Sequence, residues 1–536
     1  MIQNKVKNTR PKALQWNDLS RRDVLTTLVI FVLTLVLGLG ILNRGHAWGD
    51  DFAGYILHAQ ALVEGDIEEM AQRNAVLHPS ERTFEEGVID DSPLVYVWGL
   101  PMVLSLVYRL VGYDAPMGSA IIYYKVPGVA FFALFAGVLF LFYRRRFSYA
   151  VSLFLTFILI SHKQIYCEVN NILTDVPCLA AAFVSLLVVE LFEKEPRLLH
   201  KLLLSFLLGV SAWYTAIVRL NGVTVLYCVL CYQLFEVIGN RVKGKKLIYE
   251  LLPWIVFGVL YAATYCVLPE PNSNTSHMSG FTLDRIKNNI LDYYALMESF
   301  VGDTLPQWVP GRKYLHLVVY VLIAAGLVDR GWRQKEIHLS VLLCGTGAVL
   351  LTLPYAQGLR YMFNILPLMG LFAVYGAAAI FRIACGAIRT EKNGRAVVWA
   401  LYGLMLAVSL MRAGDLVKWK IDDIRNGGRE QLYEAYHPAS RDIYAYIGEY
   451  VEEDALIAYM KPRVLYLNTG RMGFMVGVNG HHFYDADYLL TFRNFADELG
   501  GIVWPELREE LTLVYENHEY ELYRISDAYR SLRNEE

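Results

Sequence analysis

The sequence is poor in charged residues and carries little net charge. Asp, Glu, Lys and Arg make up 19% of the 536 residues, 55% are hydrophobic, and the formal net charge is −3. Soluble globular chains contain about 25% charged residues, so this composition excludes an ordinary soluble protein. Without a basic excess we expect no nucleic-acid partner. The composition predicts an integral membrane protein surrounded by membrane lipids.

The chain also lacks the short motifs of nucleotide-dependent and hydrolytic enzymes. It contains no P-loop, no glycine-rich dinucleotide fingerprint after a strand, no His-x-x-x-His zinc helix and no nucleophile elbow. The missing P-loop removes support for ATP-driven transport. None of the seven cysteines lies after residue 412, and Cys228 and Cys231 lie on an apolar segment where packing is the better explanation.

Long apolar segments recur along most of the chain. Each has roughly 17–25 residues, the length that crosses the hydrocarbon core of a bilayer. They begin near Val24, Ser119, Ser148, Val176, Lys201, Gly222, Leu247, Tyr314, Ile337, Tyr361 and Ala396. The segment at 24–42 is longer than a signal-peptide core and is expected to be retained. We predict an all-α polytopic membrane protein with about 11 transmembrane helices plus juxtamembrane helices.

Basic residues predict which loops face the cytoplasm. Lys and Arg collect in cytoplasmic loops, and an inside N-terminus places every basic cluster between spans inside, provided that segment 93–111 does not cross. The clusters lie at residues 5–22, 144–146, 194–201, 241–246, 330–335 and 389–395. Segment 93–111 contains Pro93, Pro101 and Arg109. We therefore predict a juxtamembrane or re-entrant helix there, with a spanning helix as the alternative.

The same topology divides the chain into two parts. Residues 1–411 form the predicted transmembrane module, whose outer loops are 43–118 and 269–312. An odd number of spans places residues 412–536 outside the cytoplasm, where they are long enough for one small domain. Short β-rich runs at 455–459, 464–467, 511–515 and 520–525, with a Ser-capped helix at 440–451, predict an α+β fold for this domain.

Two adjacent carboxylates, Asp50 and Asp51, follow the first apolar segment, where the chain leaves the membrane. The next residues recur at helical spacing, with Tyr55 on an apolar face and His58 opposite. This pattern predicts an amphipathic helix along the interface. Neighbouring carboxylates can act as a general base and as a hydroxyl or metal ligand. An ordinary solvated acid pair in a loop explains the same residues.

Further charged residues lie at the predicted outer ends of spans. Arg219 and Arg360 lie where the positive-inside rule disfavours cations, and a bound phosphate would account for both. An ion pair with a nearby acid, or contact with lipid head groups, would account for them equally well. Asp175 also suits a helix cap. Lys163 is a candidate for phosphate or sugar contacts, or for an interface anchor.

These residues resemble the pattern of the GT-C superfamily of membrane glycosyltransferases, in particular bacterial relatives of protein O-mannosyltransferases and of the lipid A aminoarabinose transferase. The resemblance covers most of the chain and is strongest at residues 49–55. Further matches are 58–62, Gly65, 92–98, Asp175, Arg219, Arg360-Tyr361, Pro367 and 461–466. Two departures concern phosphate binding: Asp91 or Ser92 stands where a lysine is expected, and Arg219 stands where some relatives have lysine.

The resemblance implies an inverting transfer of a sugar from a polyprenyl-phosphate donor to an acceptor hydroxyl, at the outer face of a bacterial inner membrane. Asp50 would be the base and Asp51 would orient the acceptor, or the two roles would be exchanged. The residues implied to contact substrate or phosphate are Tyr55, Asp175, Arg219, Arg360, Tyr361 and Lys163. The acceptor would be a lipid, a glycan or a protein. No complete metal-ligand set is evident, so we expect no obligatory cofactor, although some family members use a divalent metal.

A transporter or flippase for lipid-linked saccharides is the main alternative, and a non-catalytic assembly partner is a third. A transporter would more often show two inverted halves with broken central helices. No such repeat is detectable in the sequence. For an enzyme, Asp50→Asn is expected to abolish transfer while leaving membrane insertion intact.

Overall fold

The computed structural model describes residues 19–531 apart from 48, 78–94, 113–116, 196, 240–243, 272–281, 306, 333–335, 354–355, 357, 388–390, 476–482 and 494–507. Helices make up most of it. The helices before the C-terminal sheet are α1 Arg21–Ile41, α2 Asp51–Glu64, α3 Ile67–Leu77, α4 Gly99–Val111, α5 Met117–Arg144, α6 Tyr149–Ile160, α7 Lys163–Glu168, α8 Asp175–Phe192, α9 Leu198–Val218, α10 Val223–Gly239, α11 Lys245–Val267, α12 Leu283–Gly302, α13 Leu315–Gly326, α14 Ile337–Thr352, α15 Leu366–Ala387 and α16 Glu391–Arg425.

Among the described residues, eight helices are long and apolar enough to cross a membrane. They are Arg21–Ile41, Met117–Arg144, Asp175–Phe192, Leu198–Val218, Leu220–Gly239, Leu247–Val267, Leu366–Ile383 and Trp399–Arg425. The other three predicted spans coincide with the shorter helices α6, α13 and α14, of 12, 12 and 16 residues. Length and composition thus support eight of the eleven predicted spans, and the polytopic all-α prediction is confirmed.

Helix α4 occupies most of the segment whose membrane crossing was left open. Its 13 residues reach about 20 Å, less than the hydrocarbon core of about 30 Å. It packs against α2 and α5. This length agrees with the predicted juxtamembrane helix, while Pro93 lies outside the described residues.

Helix α2 begins at Asp51, but it does not lie along the interface with a polar face. Residues 52–59 are all buried, because α4 covers one side of α2 and the C-terminal domain covers another. The predicted polar position at His58 is therefore wrong. His58 Nε2 accepts from the Tyr96 amide at 3.2 Å, so its Nδ1 carries the proton and donates to the Gly54 carbonyl at 2.7 Å. Burial lowers the pKa of His58 to about 4.

The C-terminal domain is α+β, as predicted. The described residues form a five-stranded sheet in the order β2-β1-β3-β5-β4, with β1 parallel to β2 and β3 and the remaining pairs antiparallel. Its elements are β1 Ile457–Ala458, β2 Gly473–Phe474, β3 Tyr488–Phe492, β4 Leu511–Glu516, β5 Tyr520–Ile525, α17 Pro438–Tyr450, α18 Pro462–Thr469 and α19 Asp527–Arg530. The β-rich runs predicted at 511–515 and 520–525 are confirmed as strands, and they pair with each other as β4 and β5.

Two local predictions in this domain are wrong. Residues 464–467 lie in helix α18 instead of a strand, because Pro462 occupies its first turn and Gly470, at φ +69°, closes its end. The cap of α17 is His437, whose Nδ1 accepts from the Ala439 amide at 3.4 Å. Ser440 lies inside that helix and donates to the Glu434 carbonyl at 2.7 Å.

The C-terminal domain packs directly on the first outer loop. Helix α18 contacts α2, and one buried cluster joins Phe52 and Tyr55 of α2 to Tyr436 and Tyr520 of the domain. Helix α16 runs unbroken past the predicted division at 411/412, and that division stays a prediction. The packing brings the start of α18 against the acid pair.

Candidate active site

Asp50 is buried and both of its carboxylate oxygens are occupied. Oδ2 accepts from Arg463 Nε at 2.6 Å, and Oδ1 accepts from the Val464 amide at 3.1 Å. That amide belongs to the first turn of α18, where backbone N–H groups have no partner within their own helix. Asp50 therefore caps α18 and forms an ion pair with the same helix.

Asp51 has a more open environment. Its side chain is half-buried, and Oδ1 accepts from the Tyr96 hydroxyl at 2.8 Å. Arg463 donates to that same hydroxyl, so Tyr96 connects the guanidinium to Asp51. No partner of Asp51 Oδ2 occurs among the described residues. Asp51 thus keeps one carboxylate oxygen available to a ligand.

Asp175 and Arg219 form an ion pair at the ends of two spans. Asp175 is the first residue of α8, and Arg219 follows the last residue of α9. The Arg219 guanidinium also lies 4.4 Å from the centre of the Tyr361 ring and 3.5 Å from Thr174 Oγ1. For Arg219 the ion-pair alternative is therefore correct, and the pair holds the guanidinium in one orientation.

Arg360 lies on the other side of this group. Its guanidinium is 5.5 Å from the centre of the Tyr361 ring, and no acid lies within 4 Å of it in the part of the chain that the structure describes. Burial disfavours its charge, but the electrostatic effects of Asp175, Tyr361 and Asp51 outweigh burial, and the pKa of Arg360 is raised. Arg360 is thus a charged guanidinium with carboxylates nearby and none in direct contact.

Tyr55 joins the acid pair to the arginines. Its hydroxyl lies close to Thr174, and its ring lies 4.7 Å from the ring of Tyr96. Burial, with a further contribution from Asp51, raises the pKa of Tyr55. The structure therefore brings together seven residues from separate parts of the sequence: Asp50, Asp51, Tyr55, Asp175, Arg219, Arg360 and Tyr361.

Lys163 is the predicted contact that is not brought into this group. It is exposed at the first residue of α7, and no contact among the described residues connects it to Asp175 or Arg360. Its predicted phosphate contact stays a prediction. His162 is buried, and its Nε2 donates to the Phe300 carbonyl at 2.9 Å.

Sequence reasoning did not assign roles to four residues that border the group. Tyr96 and Arg463 lie in segments that carry the family resemblance, which was the available signal, whereas Thr174 was expected only as a possible helix cap. Glu168 lies close enough to Asp175 and Arg360 to sense their charges, and burial raises its pKa. Trp48, Asp91 and Ser92 lie outside the described residues.

One set of side chains among the described residues has the spacing of a metal site. His437, His518 and Glu519 offer ligand atoms within 4.8 Å of one another. They lie in the C-terminal domain and not beside Asp51. Whether the protein uses a metal therefore stays open.

The helical module and the small C-terminal sheet domain together give the chain a GT-C-like fold, as comparison with two solved structures shows. ArnT from Cupriavidus metallidurans, solved bound to undecaprenyl phosphate, matches at a TM-score of 0.55 and 11% identity, covering 95% of this chain and 99% of that one. The oligosaccharyltransferase of Archaeoglobus fulgidus, solved with zinc and sulfate, matches at 0.55 and 11%, covering 93% and 73%. Both are GT-C glycosyltransferases. The predicted fold class is confirmed.

Sequence comparison contributes no relative. No family model matches the chain, and no curated protein matches it. The identities to the solved structures are low, so the likeness establishes the fold and leaves the reaction to be argued from the residues.

Proposed function

We propose that the protein is an inverting glycosyltransferase that moves a sugar from a polyprenyl-phosphate donor to an acceptor hydroxyl, at the outer face of a bacterial cytoplasmic membrane. One observation carries the proposal. Among the described residues, Asp51 has one carboxylate oxygen without a partner, and it lies near Arg360, a guanidinium that forms no ion pair there. The reaction needs a base for the acceptor and a cation for the leaving phosphate. The GT-C fold supports the same conclusion.

Asp51 is the better candidate for the base. Both oxygens of Asp50 already accept hydrogen bonds from α18, so accepting a proton would break a buried ion pair. Asp51 holds one hydrogen bond from Tyr96 and keeps its second oxygen free of partners among the described residues. In this scheme Asp51 removes the acceptor proton as the hydroxyl attacks the anomeric carbon, and Asp50 positions the start of α2.

The two arginines are suited to the leaving phosphate. Guanidinium groups donate in a planar fork that matches phosphate oxygens, and their effect is larger where water is excluded. Arg219 is oriented by Asp175 and by the face of Tyr361. Arg360 has no carboxylate in contact and supplies the charge that the departing polyprenyl phosphate requires.

An apolar groove offers a place for the polyprenyl chain. It has a volume of about 1000 Å³ and lies between α1, α4 and α5, with Phe31, Leu106, Ala120 and Phe131 among its lining residues. Ala120 also belongs to the buried cluster that contains Tyr55. The groove therefore borders the buried cluster that surrounds α2, and its lining suits a hydrocarbon chain.

No step of this scheme passes through a metal ion. Asp50 and Asp175 are both held by arginines, so the described residues give Asp51 no second available carboxylate to complete a ligand set. A divalent metal used elsewhere in the cycle is compatible with this arrangement.

The test uses the full chain in vesicles, loaded with a radiolabelled polyprenyl-phosphate sugar and given a bacterial envelope extract as the source of acceptors. Label should move to an acceptor with the wild-type protein and remain on the lipid with Asp51→Asn. Label that stays on the lipid but changes sides of the bilayer would identify a flippase. Label that neither moves nor changes sides would reject both enzymatic and transport functions for this donor.

A further inference from the structure

A second cavity, polar and smaller, opens between the outer ends of α1, α7 and α16. Its volume is about 320 Å³, at the low end of the range for small-molecule sites. The proposed transfer reaction does not use it. A cavity of this size holds one ring-sized ligand.

The lining combines amides, the two carboxylates Asp422 and Asp423, and aromatic rings. Asn171, Asn426 and Gln431 offer both donors and acceptors, Asp422 accepts, and Trp419 provides an apolar face beside an N–H donor. No lysine or arginine belongs to the described lining. This set disfavours an anion such as a phosphate. It matches a neutral ring that carries several hydroxyl groups, each of which both donates and accepts.

Hydrogen bonds fix the side chains at the floor of the cavity, whereas polar groups at its mouth have no partner among the described residues. Asn170 donates to Asn43 at 3.0 Å and to the Tyr433 hydroxyl at 2.9 Å, and buried Lys125 donates to Asn170 at 3.1 Å. Trp419 Nε1 and the side chain of Asn426 have no hydrogen-bond partner within the described part of the chain. A rigid floor beneath unpaired polar groups is the arrangement of a preformed binding site.

The cavity adjoins the candidate active site. Asn171 lines the cavity and donates to Glu168 at 3.2 Å. The charges of Asp175 and Arg360 in turn affect the pKa of Glu168. Ala47, three positions before Asp50, lines the opposite part of the cavity. A ligand bound here would therefore lie next to the group of residues assigned to the transfer.

We propose that this cavity binds a neutral sugar ring and, resting on the proposed function, that the ring belongs to a glycan acceptor. The donor sugar is attached to a phosphate, and the arginines that suit a phosphate lie outside this cavity. Trp419 stacks on the apolar face of the ring, while Asn426, Gln431 and Asp422 bind its hydroxyl groups. The substrate class that follows is a saccharide acceptor.

Binding can be measured without any transfer. Saturation-transfer NMR on the detergent-solubilised full chain would use the methyl glycosides of glucose, galactose, mannose and N-acetylglucosamine as probes, with glucuronate as the anionic control. We expect at least one neutral glycoside to bind, and Trp419→Ala to weaken it about tenfold. Trp419→Phe, which keeps a ring, should weaken it less. Trp399→Ala is the matched control, since Trp399 lies on the same helix, is 74% exposed and is outside the cavity.

Variants at the mouth keep the test decisive if Trp419→Ala fails to fold. Asn426→Ala and Asp422→Asn change exposed or half-exposed side chains and should each reduce the NMR effect. The proposed sugar site is rejected if no neutral glycoside binds. It is also rejected if binding is unchanged in all these variants but is lost in Arg360→Gln, because the glycoside would then bind at the candidate active site. Binding that persists when radiolabel transfer fails would support the cavity and reject the proposed function. Working transfer with an unchanged acceptor KM in Trp419→Phe and Asn426→Ala would overturn the acceptor assignment.

Discussion

Arg463 Nε lies 2.6 Å from Asp50 Oδ2, so the C-terminal domain forms an ion pair with the start of α2 across 413 positions of sequence. The two side chains are only 5% and 7% exposed. The same guanidinium donates to the Tyr96 hydroxyl, which donates to Asp51. One residue of the outer domain thereby orients both carboxylates, which predicts that docking of this domain and catalysis are coupled.

Replacing Arg463 should impair stability and transfer together. Arg463→Gln leaves the Asp50 carboxylate buried without its cation, which typically costs about 3–5 kcal/mol. We expect a lower apparent Tm and a clear loss of transfer in the radiolabel assay, with Arg463→Lys retaining part of each.

A double variant separates the ion pair from general damage. Asp50→Asn removes the unpaired charge, so Asp50→Asn combined with Arg463→Gln should be less destabilised than the sum of the single changes. Simple additivity of the three Tm shifts would contradict the ion pair.

The two aspartates should respond differently to amidation. Asp51→Asn removes the proposed base and should lower kcat by about 10²–10⁴, with little change in the apparent Tm because this side chain is half-buried. Asp50→Asn should lower the Tm and reduce transfer by misplacing α2. If Asp50→Asn instead abolishes transfer at unchanged Tm while Asp51→Asn remains active, the base is Asp50.

Arg360→Gln should weaken the handling of the lipid donor. A hydrogen bond to a charged group contributes about 1.5–3 kcal/mol, so kcat/KM for the donor should fall roughly 10- to 100-fold. Arg312→Gln is the control, because Arg312 is a partly exposed arginine already paired with Asp303 at 2.9 Å. Equal losses in both variants would mean a general effect of positive charge.

Acid should destabilise the packing around α2. His46 and His58 are buried and neutral: each accepts an amide N–H at Nε2, from Ile172 and Tyr96 respectively. Burial lowers their pKa values to about 3 and about 4. The unfolded chain binds protons below pH of about 6.5, and the folded chain does not. Stability should be complete above that pH and fall as the pH drops towards 4.

The contribution of one histidine can be isolated. His58→Gln should flatten the dependence of the free energy of unfolding on pH between about 6.5 and 4, by about 1.4 kcal/mol per pH unit at most. The measurement is a smaller fall of the apparent Tm over the same pH range. His200→Gln, at a partly exposed position, should leave it unchanged. A steeper decline in His58→Gln than in the wild type would be inconsistent with a buried neutral imidazole.

Gly54 allows the close approach of Tyr96 to α2. A Cβ at this position would clash with Tyr96 Cε2, so Gly54→Ala must displace the ring and its hydrogen bond to Asp51. We expect a marked loss of transfer with the helix intact. Gly40→Ala is the control, because no atom lies within 4 Å of its added Cβ, and it should transfer normally.

Much of the fold was predictable because bilayer crossing imposes a length and an apolar composition on each segment. The helices that begin at Arg21, Met117 and Asp175 follow directly from this constraint. Local predictions failed where neighbouring chain changed the environment. His58 was predicted to lie on a polar face, but the C-terminal domain covers α2 and buries it. Residues 464–467 were predicted to form a strand, but they lie in a helix that begins at Pro462 and ends before Gly470.

The sequence by itself determined that the chain enters the membrane repeatedly, that an acid pair follows the first crossing, and that a small mixed domain ends the chain. Hydrophobicity and spacing are local properties, so they can be read without knowing which segments meet. Only the tertiary structure decided that Arg463 forms an ion pair with Asp50 and that Tyr96 binds one oxygen of Asp51. It also decided that Asp175 pairs with Arg219, whereas Arg360 has no ion-pair partner among the described residues. These differences depend on contacts between segments far apart in the chain, which local pattern does not encode.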